Sequence, residues 1–413
     1  MRKWQWKLRR LFERLWVRAV LYSILGLITA FAAVVLDPLI PDGFEDAVGA
    51  GAIDTILNIL ATSMLTITTF SLTTMVTAFT ASTQDVTPRA TRLLMADTTT
   101  HSVLATFIGT FLYSLVGIIV LSMEAYGSGG RVVLFAVTIL VIIIVIAALL
   151  RWIDHLTRLG RVNETTRTVE LAAQDALQAY HRAPTMGAVE IADDAVPQSA
   201  TRILADDIGY VGHVDMQQLE TVVAEAGAIV TILARPGTFV HTAEPLVAVI
   251  SGSVDADEVR AAFTIGRERT FEEDPLFGLA VLSEIASRAL SPGINDQGTA
   301  LDVLGRGVRL IAMCSDKIDE AADAPEFPHL RMTRLPIVEF LDHLFTPVAR
   351  DGAEKFEVQV KIQKSLAALI AMDEPLFGAA ARHVSRVSLD RAEATLTSAD
   401  DIARVRKAAA PLS

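Results

Sequence analysis

The chain carries one cysteine, Cys314, in 413 residues. A lone thiol excludes a disulfide framework and any cysteine-built zinc or iron–sulfur centre. Charge is also scarce. Asp, Glu, Lys and Arg make up 20% of the residues and hydrophobic side chains 52%, whereas a soluble globular chain is about a quarter charged. A mean hydropathy of +0.42 points the same way, toward a bilayer. The high apolar content and the lack of any short repeat exclude disordered, collagenous and coiled-coil chains.

A basic surface is missing where nucleic acid would need one. Residues 186–413 hold 21 Lys and Arg against 35 Asp and Glu, a net of −14, and residues 1–185 are close to neutral at +2. Phosphate contacts supply most nucleic-acid affinity, so no nucleic-acid partner is expected. Catalytic signatures are equally absent. The eight histidines show no His-Glu-x-x-His spacing, and there is no Walker loop, Gly-x-Ser-x-Gly or Gly-x-Gly-x-x-Gly after a strand. The expectation is a protein that is not an enzyme and that takes no cofactor and no metal.

What the sequence does contain is long apolar runs. Four approach or exceed the ~20 residues that cross a hydrocarbon core: Ala19 to Leu36, Ile53 to Thr80, Ser102 to Met123 and Val132 to Leu150. The first follows Arg2, Lys3, Lys7, Arg9, Arg10, Arg14 and Arg18, with no small-x-small cleavage site after it. It reads as a retained signal anchor. Residues 1–18 also read as an interfacial helix, with Trp4, Leu8, Leu11, Phe12, Leu15 and Trp16 at helical spacing and cations opposite. A plain basic anchor with interfacial tryptophans is the alternative.

Orientation follows from Lys and Arg in the short flanks. The N-terminal flank, Arg89 with Arg92, and Arg151, Arg158, Arg161 and Arg167 total 13 on one side, and only Arg131 stands on the other. Both termini are therefore expected in the cytoplasm, with the spans in a bacterial inner membrane and the lipid bilayer as an obligatory partner.

The second run has an unusual pattern. Thr62, Thr66, Thr69, Thr73, Thr77 and Thr80, then Gln84, recur every three or four residues and form one uncharged stripe along a helix. Two readings compete. Copies of the helix from several subunits could surround a water-filled path for small ions, with the hydroxyls lining it. Alternatively, the threonines let helices approach closely and bond their own i−4 carbonyls. The other spans look like scaffold. Ala105, Gly109 and Gly117 share a face suited to close packing, and Val141 to Ile146 is apolar all round. No span has an ionisable residue at its centre, which argues against a charge-coupled carrier.

The fourth run reads as continuing past Trp152 in an amphipathic helix to about Arg182, with a boundary at Ala183-Pro184-Thr185. The resulting fold class is a helical membrane domain of four spans (19–150) followed by a cytoplasmic α/β domain that is mostly helical. Its parts are an interfacial segment (1–18), a helical linker (151–185), a mixed α/β subdomain (186–252) and a mainly helical subdomain (253–413). In the mixed part, Ile208 to His213, Ala228 to Leu233 and Pro245 to Ile250 read as strands, Met216 to Ala226 as a helix and Arg235-Pro236-Gly237 as a turn. The phrase Pro236 to Val240 with Glu244 to Val247 is similar to half of a lipoyl- or biotinyl-type barrel. The lysine hairpin that would carry the cofactor has no counterpart, which implies scaffold only.

From Asp255 the pattern turns helical. Asp274-Pro275-Leu276-Phe277-Gly278 and Glu374-Pro375-Leu376-Phe377-Gly378 each read as a helix start with an acidic cap and proline in the first turn. The densest polar cluster lies between them. Arg267, Arg269, Asp274, Asn295 and Asp296 could bind a phosphorylated or carboxylated ligand, or Asp and Asn could hold a divalent cation. As plain structure, Ser291-Pro292-Gly293 is a turn, Asn295-Asp296 caps a helix near Gly298, and Arg267-Glu268-Arg269 is a solvated ion-pair network.

These residues also carry a resemblance. Gly266 to Thr270, Asp274-Pro275, Ala289 to Pro292, and Ile294-Asn295-Asp296 with Thr299-Ala300 resemble a bacterial family of predicted membrane proteins, domain of unknown function 2254. Thr80 to Gln84 and Gly109 to Tyr113 agree with it in the membrane half. Gln297 departs from the family's proline after Asn-Asp and affects only the local turn. The resemblance implies an architecture and transfers no catalytic residue. The expectation is an oligomeric channel or pore-like conduit gated by its acidic cytoplasmic domain. The alternative is a membrane-anchored sensor or scaffold whose cytoplasmic domain binds a ligand or partner.

Overall fold

A computed structural model describes Val17, Val20, Ile24 and Ile28 and residues 50–85, 87–95, 97–123, 128–158, 161–192, 196–315 and 325–412. The interfacial segment and the first apolar run lie outside the described residues, apart from those four helical positions. The chain divides into two compact units. One is built on Thr165–Ser413 with Asp85–Ala90; the other holds Thr91–Glu164 and the described residues before Asp85.

The membrane unit contains α1 (Ala50–Asp85), α3 (Thr98–Ser122) and α4 (Ser128–Arg158), with the short α2 (Pro88–Met95) between the first two. Ala52–Thr80, Thr99–Ser122 and Arg131–Thr157 are long and apolar enough to cross a membrane, three spans among the described residues. They match the second, third and fourth apolar runs. Helix α3 is capped by Asp97, whose carboxylate accepts from the Thr100 N–H at 2.7 Å and its hydroxyl at 2.8 Å. Helices α3 and α4 run antiparallel. Tyr113 and Thr138 share a hydrogen bond of 3.0 Å near their middles, and Thr100 meets His155 at 3.1 Å near one end. Small residues set the spacing as expected. A Cβ on Gly117 would come within 3.0 Å of Leu57 Cδ1, so α1 lies directly on α3.

The expected continuous helix to Arg182 is two helices. Helix α4 ends at Arg158, Arg161 is not helical, and α5 runs Val162–Arg182. Gly160, a residue type costing about 1 kcal/mol in a helix interior, stands in the interval.

The C-terminal unit combines two sheets with a helical bundle. In order come β1 (Ala188–Glu190), β2 (Thr201–Leu204), β3 (Gly209–Val214), α6 (Met216–Glu225), β4 (Ile229–Ile232), β5 (Phe239–Val240), β6 (Pro245–Ser251), α7 (Ala256–Ala262) and β7 (Phe263–Gly266). Then follow α8 (Phe277–Ala289), α9 (Gln297–Ala312), β8 (Phe327–Met332), α10 (Ile337–Asp351), α11 (Phe356–Met372), α12 (Glu374–Thr395) and α13 (Ala399–Ala409). The larger sheet has the order β1-β8-β4-β6-β2, with β8 parallel to both neighbours; β5-β3-β7 form an antiparallel sheet. Strand β6 sits inside the larger sheet, and its Leu246 to Val249 are all buried, the continuous apolar run that a doubly covered strand requires.

Four local expectations change. The region beyond residue 253 supplies β7 and β8, so it is less purely helical than its periodicity suggests. The strands after Gly237 and Glu244 join different sheets, β5 beside β3 and β6 between β4 and β2, and do not form a barrel half. The helix after Asp274-Pro275 begins at Phe277, although Asp274 Oδ1 still accepts from the N–H groups of Leu276 and Phe277, both at 3.1 Å. The later helix begins at Glu374, but its capping side chain is Asp373, which accepts from the Leu376 N–H at 3.1 Å.

Candidate functional site

The threonine stripe forms one face of α1. Every third or fourth residue returns to the same side of a helix with 3.6 residues per turn. Thr62, Thr66, Thr69, Thr73, Thr77 and Thr80 are all exposed. Ile53, Leu57, Leu60, Met64 and Ser71 are buried at the same kind of spacing, half a turn away. The stripe is thus the side of α1 that the other described residues leave uncovered. Leu65, Leu72 and Val76 flank it and are exposed as well.

The hydroxyls are held within the helix. Thr66 donates to the Thr62 carbonyl at 2.9 Å, Thr69 to Leu65 at 2.9 Å, Thr73 to Thr69 at 3.0 Å, Thr77 to Thr73 at 3.0 Å and Thr80 to Val76 at 2.9 Å. Each donor is satisfied inside its own helix while the oxygen keeps acceptor capacity outward. Gln84 is helical, and its side chain lies outside the described residues.

The polar cluster of the C-terminal unit is not one site. Arg269 Nε donates to Asp274 Oδ2 at 2.7 Å, and its guanidinium lies 5.0 Å above the Phe277 ring centre. Asp274 is only 3% exposed. Gly237, at φ +93°, makes room for this carboxylate; a Cβ there would come within 2.3 Å of it. Arg269 and Asp274 line a cavity of about 410 Å³, and Arg267, Asn295 and Asp296 do not. Arg267 is exposed. Asn295 accepts from Lys355 Nζ at 3.0 Å. Asp296 caps α9, accepting from the Thr299 N–H at 3.1 Å and its hydroxyl at 2.5 Å. The Thr299 hydroxyl, then its N–H, hold the Asp296 carboxyl below the usual carboxylate range.

The cavity gathers residues that sequence reasoning missed. Arg235 comes from the turn after β4, Arg334 from the end of β8, and Glu339 and His343 from α10. Arg235 donates to the Thr333 carbonyl, and Arg334 pairs with Glu190 at 2.8 Å. No spacing connects positions about a hundred residues apart, so only the parallel placement of β8 beside β4 reveals the group. A smaller cavity of about 150 Å³ lies beside Tyr180, Arg235, Glu272 and Glu273. The Tyr180 hydroxyl accepts from the Leu335 N–H at 3.0 Å, and burial raises its pKa. His213, 2% exposed, meets Glu273 at 2.7 Å. Among the described residues no group of three or more His, Cys, Asp or Glu is placed to hold a metal ion.

A chain of this construction, with apolar helices long enough to span a bilayer and a C-terminal unit containing sheets, belongs to the predicted membrane proteins. A family profile described as "Predicted membrane protein (DUF2254)" matches residues 13–368, and the chain belongs to that family. Uncharacterised proteins of Mycobacterium bovis and Mycobacterium tuberculosis are 28% identical to it over 228 residues, 52% of this chain and 43% of theirs. The chain thus aligns with less than half of the length of these relatives. No solved structure matches it.

Proposed function

We propose that the protein is a homo-oligomeric conduit in a bacterial inner membrane, with α1 lining the path and both termini in the cytoplasm. The observation that carries this reading is the exposed threonine face, opposite the side by which α1 packs on its own chain. A single helix cannot enclose water. Several copies facing a common axis would place the stripe on the path and leave Leu65, Leu72 and Val76 for neighbours or lipid. Uncharged hydroxyl rings pass small ions without strong selection by sign. The acidic C-terminal unit would concentrate cations at the mouth and gate the path. No catalytic step belongs to this reading.

The test has two parts. Native mass spectrometry of the purified chain should give a closed ring of three or more subunits. In proteoliposomes, Thr73→Phe should suppress most ion flux while that ring persists. A monomer or two-fold dimer, or unchanged flux in Thr73→Phe, would remove the conduit and return the threonines to helix packing.

A second reading has its own observation, the cavity bordered by Arg235, Arg269 and Arg334 in an otherwise acidic unit. In that case the C-terminal unit senses a small phosphorylated or carboxylated ligand, since guanidinium forks suit such groups. A thermal-shift panel of phosphates and carboxylates on the full chain, compared with Arg269→Gln, separates it from the conduit. A shift lost in that variant supports the sensor, and no shift across the panel eliminates it.

A further inference from the structure

A groove of about 500 Å³ lies between α3 and α4, at the end of the spans where Asp97 and His155 meet. The first three turns of α3 contribute Thr99, Ser102 and Thr106, and the last apolar turns of α4 contribute Ala147, Ala148 and Arg151. The two alanines open the groove, and the three hydroxyls make its wall polar. Thr106 is committed to the Ser102 carbonyl at 2.9 Å. The hydroxyls of Thr99 and Ser102 and the guanidinium of Arg151 form no hydrogen bond or ion pair with the described residues. Arg151 is exposed and stands directly after the apolar run ending at Leu150. Of the anions nearby, Asp97 is already engaged by Thr100 and by His155 at 3.2 Å, and Asp154, three residues on from Arg151 in α4, forms no ion pair with it.

A guanidinium with no counter-ion among the described residues, at the limit of the hydrocarbon and beside hydroxyls that are likewise unengaged among them, calls for an anion at that depth. The surface below it selects what the anion is attached to. Ala147 and Ile143 fall on the face of α4 that carries Arg151, one and two turns further in, with exposed Ile146 and Leu150 alongside. A ligand with a phosphate at Arg151 and hydrocarbon along this ridge satisfies both halves. We propose that the groove is a binding site for an anionic phospholipid, its headgroup phosphate held by Arg151, Thr99 and Ser102 and its acyl chains on the Ile143–Leu150 face. The site requires neither the conduit nor the sensor reading.

Native mass spectrometry tests it on the purified full chain in detergent, titrated with phosphatidylglycerol or with phosphatidylcholine of the same acyl chains. Phosphatidylglycerol should saturate one site per protomer and bind more tightly than phosphatidylcholine. Arg151→Gln should weaken phosphatidylglycerol about fivefold, the factor for one cation at an anionic surface. Arg151→Lys should restore binding to near the wild-type level, because it keeps the charge. Ser102→Leu should weaken binding by filling the groove. Arg202→Gln, which removes an equal charge from an exposed strand of the C-terminal unit, should change nothing.

Wild-type binding by Arg151→Gln, equal binding of both lipids, or an Arg151→Lys variant as weak as Arg151→Gln would each overturn the site. Competition by soluble glycerol phosphate as effective as that by lipid would also overturn it, assigning the groove to a free anion. Each variant's melting curve, matched to wild type, excludes misfolding as the source of a loss.

Discussion

Helix α1 and the helical bundle of the C-terminal unit satisfy their polar groups in opposite ways. Along α1, threonine hydroxyls donate four residues back, to carbonyls of the same helix. In the C-terminal unit the partners are distant in sequence. Gln359, fully buried, donates to the carbonyls of Ala349 and Gly352 and accepts from the Ser388 hydroxyl at 2.8 Å. Gln363 spans 22 residues to Ser385, and Glu170 meets Arg306 across 136. The hydrocarbon of a bilayer offers no water to an inserting helix, and satisfaction within α1 makes each of these hydroxyls independent of neighbouring helices. A helical bundle folding in water can postpone that satisfaction until tertiary contacts form, and its buried polar groups then record topology.

This contrast predicts a graded set of responses. The largest belongs to Gly237→Ala. It combines a positive φ with a Cβ against the buried Asp274 carboxylate, and should cost about 3 kcal/mol. Chemical denaturation followed by tryptophan-independent circular dichroism would measure it, and a change below about 1 kcal/mol would show that Asp274 can move away. Gln359→Leu comes next. It leaves a hydroxyl and two carbonyls without their partner, and should cost about 2 kcal/mol. If it is neutral, the buried amide network is not what holds α10, α11 and α12 together.

Asp296→Ala removes the cap of α9 and should cost about 1 kcal/mol at neutral pH. Its pH dependence has a definite sign. The folded-state pKa of Asp296 is depressed by Thr299, so the charged carboxylate's contribution is present above its unfolded value near ~4 and fades as pH falls through the lower folded value. The difference in Tm between wild type and Asp296→Ala should therefore narrow in acid. A gap that widens below about pH 4 would contradict the assignment. The smallest effect is expected at Thr69→Val. Its single hydroxyl bond is local and the face exposed, so stability in detergent should change by a few tenths of a kcal/mol. A loss as large as that of Gln359→Leu would mean that the stripe makes contacts between helices after all.

Legibility in the sequence followed the same divide. The three described spans, the threonine face and the packing role of Gly117 were all readable, because each depends on spacing along one helix. Strands β3, β4 and β6, helix α6 and the turn at Gly237 were readable too, as alternation and turn residues are local signals. Asp296 announced itself as a cap through its position before Thr299. The strand Phe327–Met332 did not, since its partners β1 and β4 lie 139 and 98 residues upstream, counted from first residue to first residue. The Arg267–Asp296 cluster misled for a related reason. Nearness in the chain suggested one site, whereas the turn at Ser291–Gly293 and the helix α8 carry its two ends to different surroundings.

The amino-acid order by itself determined which segments are apolar enough for a bilayer, where the cations flank them, and which face of α1 is hydroxylated. These properties are sums over neighbouring residues and need no folded partner. Tertiary structure alone decided that the described residues leave the hydroxylated face uncovered, that Arg235, Arg269, Arg334 and His343 border one cavity, and that Arg151 stands beside hydroxyls of α3 with no counter-ion among the described residues. Each of these is a relation between surfaces brought together by packing, and no local periodicity encodes it.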